Sequence, residues 1–187
     1  MDLQTGFSHE TEYMPGATVI YGIHGKCTIS SVEARQVGGN TLRFYKLEKV
    51  KSTFARTNRL EPAIWLPVTN ARDRGLRLPM SAADVETAMA MICNREYYFP
   101  LAEPWLANQA RIETTIRLEG FMGLAKAVSF TEVLKRRQVV PESELLRFNE
   151  NVAKLFVREV CDATGKLPRD VYAEIERGIK HKLQPDN

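Results

Sequence analysis

The sequence predicts an α+β protein in two parts, a small antiparallel β barrel followed by an all-α helical bundle. Two observations carry this expectation. Up to about residue 80, β-branched and aromatic residues recur in short alternating runs punctuated by glycine. After Ser81, apolar residues return every three or four positions, the spacing that lays them along one helix face. With 187 residues, 44% of them hydrophobic and 26% charged, the chain has the composition of an ordinary folded protein of one domain or two small ones.

The β half reads in order. Residues 1–12 lack periodicity and are expected to form a mobile tail. Strands are expected at Ala17–Tyr21, Cys27–Glu33, Thr41–Leu47 and Ala63–Leu66, where Val, Ile, Thr, Tyr, Phe and Trp are concentrated. Gly22 and Gly25 mark the first junction, and Val37-Gly38-Gly39-Asn40 supplies the positive-φ tolerance that a tight hairpin needs. Short strands so closely spaced favour a barrel over a sandwich.

In the helical half, Ser81-Ala82-Ala83-Asp84 is a capping signal ahead of Val85, Ala88, Met89 and Ile92. Pro100 and Pro104 then interrupt the chain. Trp105, Ile112, Ile116 and Leu118 define a helix ending near Gly120, and Leu124, Val128, Phe130, Val133 and Leu134 define the next. Pro141 precedes a long helix carrying Leu145, Phe148, Val152, Leu155, Phe156 and Val160, which Gly165 closes. Pro168 opens the last helix, with Val171, Tyr172, Ile175 and Ile179 on one face.

Composition and motifs narrow the function. No apolar run reaches the ~20 residues of a bilayer span. The first dozen residues carry three acids and neither a basic nor an apolar stretch, so a cytoplasmic protein without membrane contact is expected. Cys27, Cys93 and Cys161 are odd in number and far apart, which implies no disulfide framework. His9, His24 and His181 are scattered and no CxxC occurs, so neither a metal site nor another cofactor is expected. Gly22, Gly25 and Lys26 lack the spacing and the following Ser or Thr of a phosphate loop. With no GxSxG or HExxH motif either, no enzymatic activity is expected.

The net charge of +3 is too small to announce nucleic-acid binding, but its distribution is uneven. Between Tyr13 and Met80 there are eleven Lys and Arg against four acids, whereas from Leu101 onward fourteen meet thirteen. The first excess fits a solvated strand surface or a face that meets an acidic partner. Lys135-Arg136-Arg137 is the basic cluster of the helical half. It sits where cations favour a helix C-terminus, worth ~0.3 to 1 kcal/mol each, and where it could also contact phosphates without reading bases.

Five segments in order carry a resemblance: Val19-Ile-Tyr-Gly-Ile-His24-Gly25, Ser31-Val-Glu33, Phe44-Tyr45-Lys-Leu47, Leu66-Pro67-Val68 and Gly75-Leu76-Arg77-Leu-Pro-Met-Ser81. Together they resemble the N-terminal domain of the CarD/CdnL/TRCF family of bacterial RNA polymerase-binding proteins. From Trp105 through Ile179 the chain is similar in length and helix order to the C-terminal domain of the CarD-like members. The resemblance implies an SH3-like or Tudor-like β domain at residues 13–80, a helical linker at 81–100 and a helical, DNA-contacting domain at 101–183. It implies that the β domain docks on the lobe of the polymerase β subunit by adding a strand at an exposed sheet edge.

The same resemblance suggests contact residues. Arg35 matches a basic position turned toward polymerase, and Ile64, Trp65 and Leu66 match the contact strand, with Trp65 where the family often has a basic residue. Alternation sets Trp65 on the face opposite Ile64 and Leu66, as an interface anchor or a core residue. Lys135, Arg136 and Arg137 match the family's DNA-binding basic run. Leu134 falls at its wedge tryptophan, as an apolar wedge in the minor groove or as core; Leu145 and Leu146 fall where it often has cations.

The function expected is that of a monomeric transcription regulator at the nucleoid. It would bind the RNA polymerase β subunit through the β domain, contact promoter DNA without base readout and modulate open-complex stability. The alternative is a protein-only adaptor whose helices bind a second protein and not DNA. Near-neutral charge after Leu101 and the missing tryptophan favour it.

Overall fold

The computed structural model describes residues 13–50, 62–137 and 142–184; the expected tail at residues 1–12 and Pro141 lie outside the described residues. The fold is α+β. Five antiparallel strands, β1 (Thr18–Tyr21), β2 (Gly25–Val37), β3 (Asn40–Lys49), β4 (Ile64–Pro67) and β5 (Leu76–Arg77), come first. Five helices follow, α1 (Ala82–Cys93), α2 (Trp105–Glu119), α3 (Phe121–Arg137), α4 (Ser143–Thr164) and α5 (Pro168–Leu183). Among the described residues no helix is long and apolar enough to cross a membrane.

The strands form one sheet in the order β4-β3-β2-β1-β5. It is open, in place of the closed barrel expected: β4 pairs with β3 and β5 with β1, at opposite edges. The reason is local. β5 has two residues, and the chain reaches it from β4 through a 3₁₀ turn at Val68–Asn70 instead of a ladder.

β2 and β3 make the spine. Their two-residue loop, Gly38-Gly39, has φ of 58° and 82°, the double positive-φ conformation that tight hairpins require and glycine adopts without strain. A register shift between Ile29 and Ser31 marks a β-bulge at Ser30, whose hydroxyl donates to the Lys46 carbonyl at 3.2 Å. The bulge changes the phase of alternation. Cys27 and Ile29 point into the core, and without the extra residue Ser31, Glu33 and Arg35 would follow them inside. With it, Val32 turns inward and the polar residues turn out.

The inner face is closed by Val19, Cys27, Ile29, Tyr45, Leu47, Leu66, Ala71 and Leu76. Tyr13 crosses above it, its backbone N–H donating to the Tyr45 hydroxyl at 3.0 Å. Among the described residues of this cluster none comes from the five α-helices.

The helices build two further cores. Ser81 and Asp84 form a reciprocal capping box at the start of α1. Val85, Ala88 and Ile92 then join residues of α3, α4 and α5 in the principal core. Residues 81–100, expected as a linker, therefore place α1 inside the bundle, because three apolar side chains on one helix face must be covered. The second core gathers Phe99, Trp105, Ile112, Ala127, Phe130, Leu134 and Leu145. α2 approaches α3 closely at Gly123, where a Cβ would stand 2.4 Å from the Thr115 carbonyl oxygen and 2.9 Å from the Ile116 Cα.

Both of those neighbours are backbone and cannot rotate away. Gly123→Ala is therefore expected to lower stability by about 1–3 kcal/mol through overpacking, measured as a reduced urea midpoint with unchanged m-value. An unaltered midpoint would show that the two helices have room to separate.

Candidate functional site

Register fixes what the outer face of the sheet displays. Ser31, Glu33 and Arg35 of β2 stand opposite Lys46, Phe44 and Leu42 of β3, and Lys46 stands opposite Trp65 of β4. All of these share one face, because directly paired residues project to the same side. Trp65 lies outside the sheet core and is half-buried. What covers it is Arg35, whose guanidinium carbon lies 3.2 Å from the indole centroid, with the Lys46 ammonium 6.0 Å from the same ring. A planar guanidinium over an indole is the favourable cation–π geometry.

Glu33 holds the far side of the arginine at 3.6 Å and accepts from the Ser31 hydroxyl at 2.8 Å. The structure thus brings Arg35 and Trp65 into contact although they are distant in sequence. Ile64 and Leu66 face inward, Leu66 with 1% of its surface exposed. Leu66 therefore offers a partner its main chain and not its side chain. Among the described residues β4 is the edge strand, with β3 as its one ladder neighbour.

The second candidate region lies at the C-terminal end of α3. Leu134 is 6% exposed and packs in the second helical core, the core place of the two its spacing left open. The reason is helical spacing: four residues after Phe130, it lands on the same buried face. Leu145 is likewise buried, and Leu146 is exposed.

The basic triplet is not a bare charge cluster. Glu132, nearly buried, accepts from Arg136 and lies 3.7 Å from the Lys135 ammonium. Glu132 also accepts from the Asn149 side-chain amide at 2.8 Å, and Asn149 accepts from the Thr131 hydroxyl at 2.8 Å. Arg137 lies over the Tyr97 ring at 5.4 Å. The spacing of Glu132 to Lys135 and Arg136, three and four residues, is the readable signal of this neutralisation.

Lys182 was not legible, since a lysine in a last helical turn reads as a solvated cation. It is 4% exposed, donates to the Ser129 hydroxyl at 2.8 Å, and lies 5.2 Å from the Tyr97 ring and 5.4 Å from the Tyr98 ring. A groove of about 680 Å³ runs between α2 and α4, lined by Glu113, Ile116, Phe148, Val152, Lys154 and Leu155. Cys27 is buried and His24 stacks on Tyr21; among the described residues no three metal-ligating side chains converge.

Burial pushes the Lys182 ammonium below the ordinary lysine value of 10.5, against an upward pull from Glu96. The folded chain then binds this proton less tightly than the unfolded chain. Stability from Lys182 is therefore complete above 10.5 and falls away as pH drops through the lowered value. Lys182→Met is expected to flatten that slope, so the variant gains on the native chain as pH is lowered through this window. Parallel stability–pH curves from urea unfolding would contradict it. Among known proteins, no family model matches the chain and no curated protein matches it.

Proposed function

We propose that the chain is a CarD-like transcription regulator of the CarD/CdnL/TRCF family. In this reading the sheet is an SH3-like or Tudor-like module that docks on the lobe of the RNA polymerase β subunit. One observation carries the proposal. Arg35 and Trp65, which the resemblance assigns separately to the polymerase contact, meet on the outer face at β4, the edge strand among the described residues.

An edge strand supplies main-chain hydrogen bonds in register, and a rigid aromatic–guanidinium pair beside it supplies selectivity. Holding Arg35 on the ring in advance lowers the ordering cost of binding. Lys135, Arg136 and Arg137 are the residues proposed to touch promoter phosphates, without reading bases. Modulation of the open complex requires that open and closed promoters be bound with different affinity.

The adaptor reading, in which the helices bind a protein instead of DNA, is favoured by specific observations. Leu134 is unavailable as a wedge, Glu132 neutralises part of the triplet, and the apolar groove between α2 and α4 suits a peptide better than a phosphate backbone.

Pull-down of the full chain with the isolated β-subunit lobe tests the docking surface. Arg35→Glu and Trp65→Ala are each expected to weaken retention by about 2 kcal/mol or more, as centrally placed Arg and Trp anchors do. Retention equal to native for both would remove the docking proposal. For the helical half, Lys135→Ala and Arg137→Ala in the ternary complex should each reduce the salt slope by about one per lost phosphate contact. An unchanged slope favours the adaptor.

A further inference from the structure

The sheet and the bundle keep separate apolar clusters and meet through ion pairs, with Ile20 of β1 and Leu155 of α4 adding apolar contact. The apolar cluster of the sheet draws on residues from Val19 to Leu76, and the two helical clusters on residues from Val85 to Ile179. Between them lies one face of α4, where Leu155, Arg158, Glu159 and Asp162 follow the i, i+3, i+4, i+7 spacing. Each meets the sheet. Leu155 reaches to 3.6 Å from where a Cβ on Gly25 would stand, and Arg158 donates to the Val50 carbonyl at 3.4 Å. Asp162 pairs with Lys26 at 3.3 Å, and both oxygens of Glu159 accept from Arg77 at 2.7 and 2.8 Å.

The Arg77–Glu159 pair is the more buried one. Glu159 is 6% exposed and the Arg77 side chain 24%, against 32% for Lys26 and 43% for Asp162. Arg77 reaches its partner through a slot: a Cβ on Gly120 would stand 2.7 Å from its Cδ and 2.9 Å from its Nε. Gly120, with φ of 59°, therefore shapes the path. A cavity of about 290 Å³ lies beside the pair, lined from both parts by Ile20, Lys26, Met80 and Asp162 among others, so packing there is incomplete. An interface held by ion pairs and a few apolar side chains, with a cavity beside them, permits relative motion of the parts it joins.

We propose that Arg77, threaded past Gly120 onto Glu159, is a latch: with it closed the sheet is fixed on α4, and with it open the sheet and the bundle move as separately folded bodies. Breaking the pair leaves an uncompensated charge in a nearly closed site, which favours separation and solvation of that charge. Burial already pushes the Glu159 carboxyl up, with Asp162 adding to the rise, while Arg77 and Arg158 draw it down. The carboxylate thus depends on its partner to stay ionised in place. This device is independent of what the sheet binds.

The test uses the full chain and two variants, Arg77→Met and the shape-conserving Glu159→Gln, with small-angle X-ray scattering, far-ultraviolet circular dichroism and calorimetry. The expected result is a larger maximum dimension with native helix and strand content, and a single melting transition resolved into two. Glu159→Gln guards against a packing artefact at position 77. Native dimensions and a single native transition in both variants would overturn the latch. So would loss of helix and strand signals together in both, which would make the pair part of one cooperative core.

Discussion

The rest of the structure depends on the separation of the apolar cores. A five-stranded sheet with one closed face can stand alone only if that face is covered, and here Tyr13 and Val68 of the 3₁₀ turn pack against it, with no α-helical residue among the described members of the cluster. The bundle is likewise complete once α1 is counted among its members. Because each part closes its own apolar cluster, most of the outer face of the sheet is left to polar residues, with Ile20 as the apolar residue buried beside the bundle. One end of it, through Lys26 and Arg77, meets α4; the other displays Arg35, Lys46 and Trp65. The Ser30 bulge lies between them and lets one strand serve both ends without turning a charge into the core.

This division also explains the uneven charge of the sequence. Among the described residues the basic excess before residue 80 is divided between different partners. Part of it lies over an aromatic ring, as Arg35 does on Trp65 and Arg72 does at 5.9 Å from Tyr13. Another part answers acids of the bundle, Lys26 to Asp162 and Arg77 to Glu159. The near neutrality of the helical half includes carboxylates whose partners come from the sheet. Charge counted along the chain could not show this, because the pairs span more than eighty residues.

Local rules made most elements legible. The Gly38-Gly39 turn, the Ser81 capping box and the Gly165 helix end need a particular backbone or cap at a particular place, and the residues state that need. What depended on distant partners was not legible. The two-residue β5 has no pattern to read, and an open sheet differs from a barrel only in which edges meet. Val85, Ala88 and Ile92 pointed to a buried face from the start, yet a helix between two parts invites description as a tether. Leu134 carried its core role in its spacing from Phe130. The contact of Arg35 with Trp65 follows from the register of three strands, which no short window of sequence contains.

The proposed docking rests most directly on the edge of β4, offered as a template for a strand of the polymerase lobe. Hydrogen–deuterium exchange of the full chain with and without the isolated β-subunit lobe reads that edge amide by amide. Docking by strand addition gives new protection across residues 64–66, with α4 and α5 unchanged. Protection confined to the helices, with β4 exchanging as in the free chain, would contradict it.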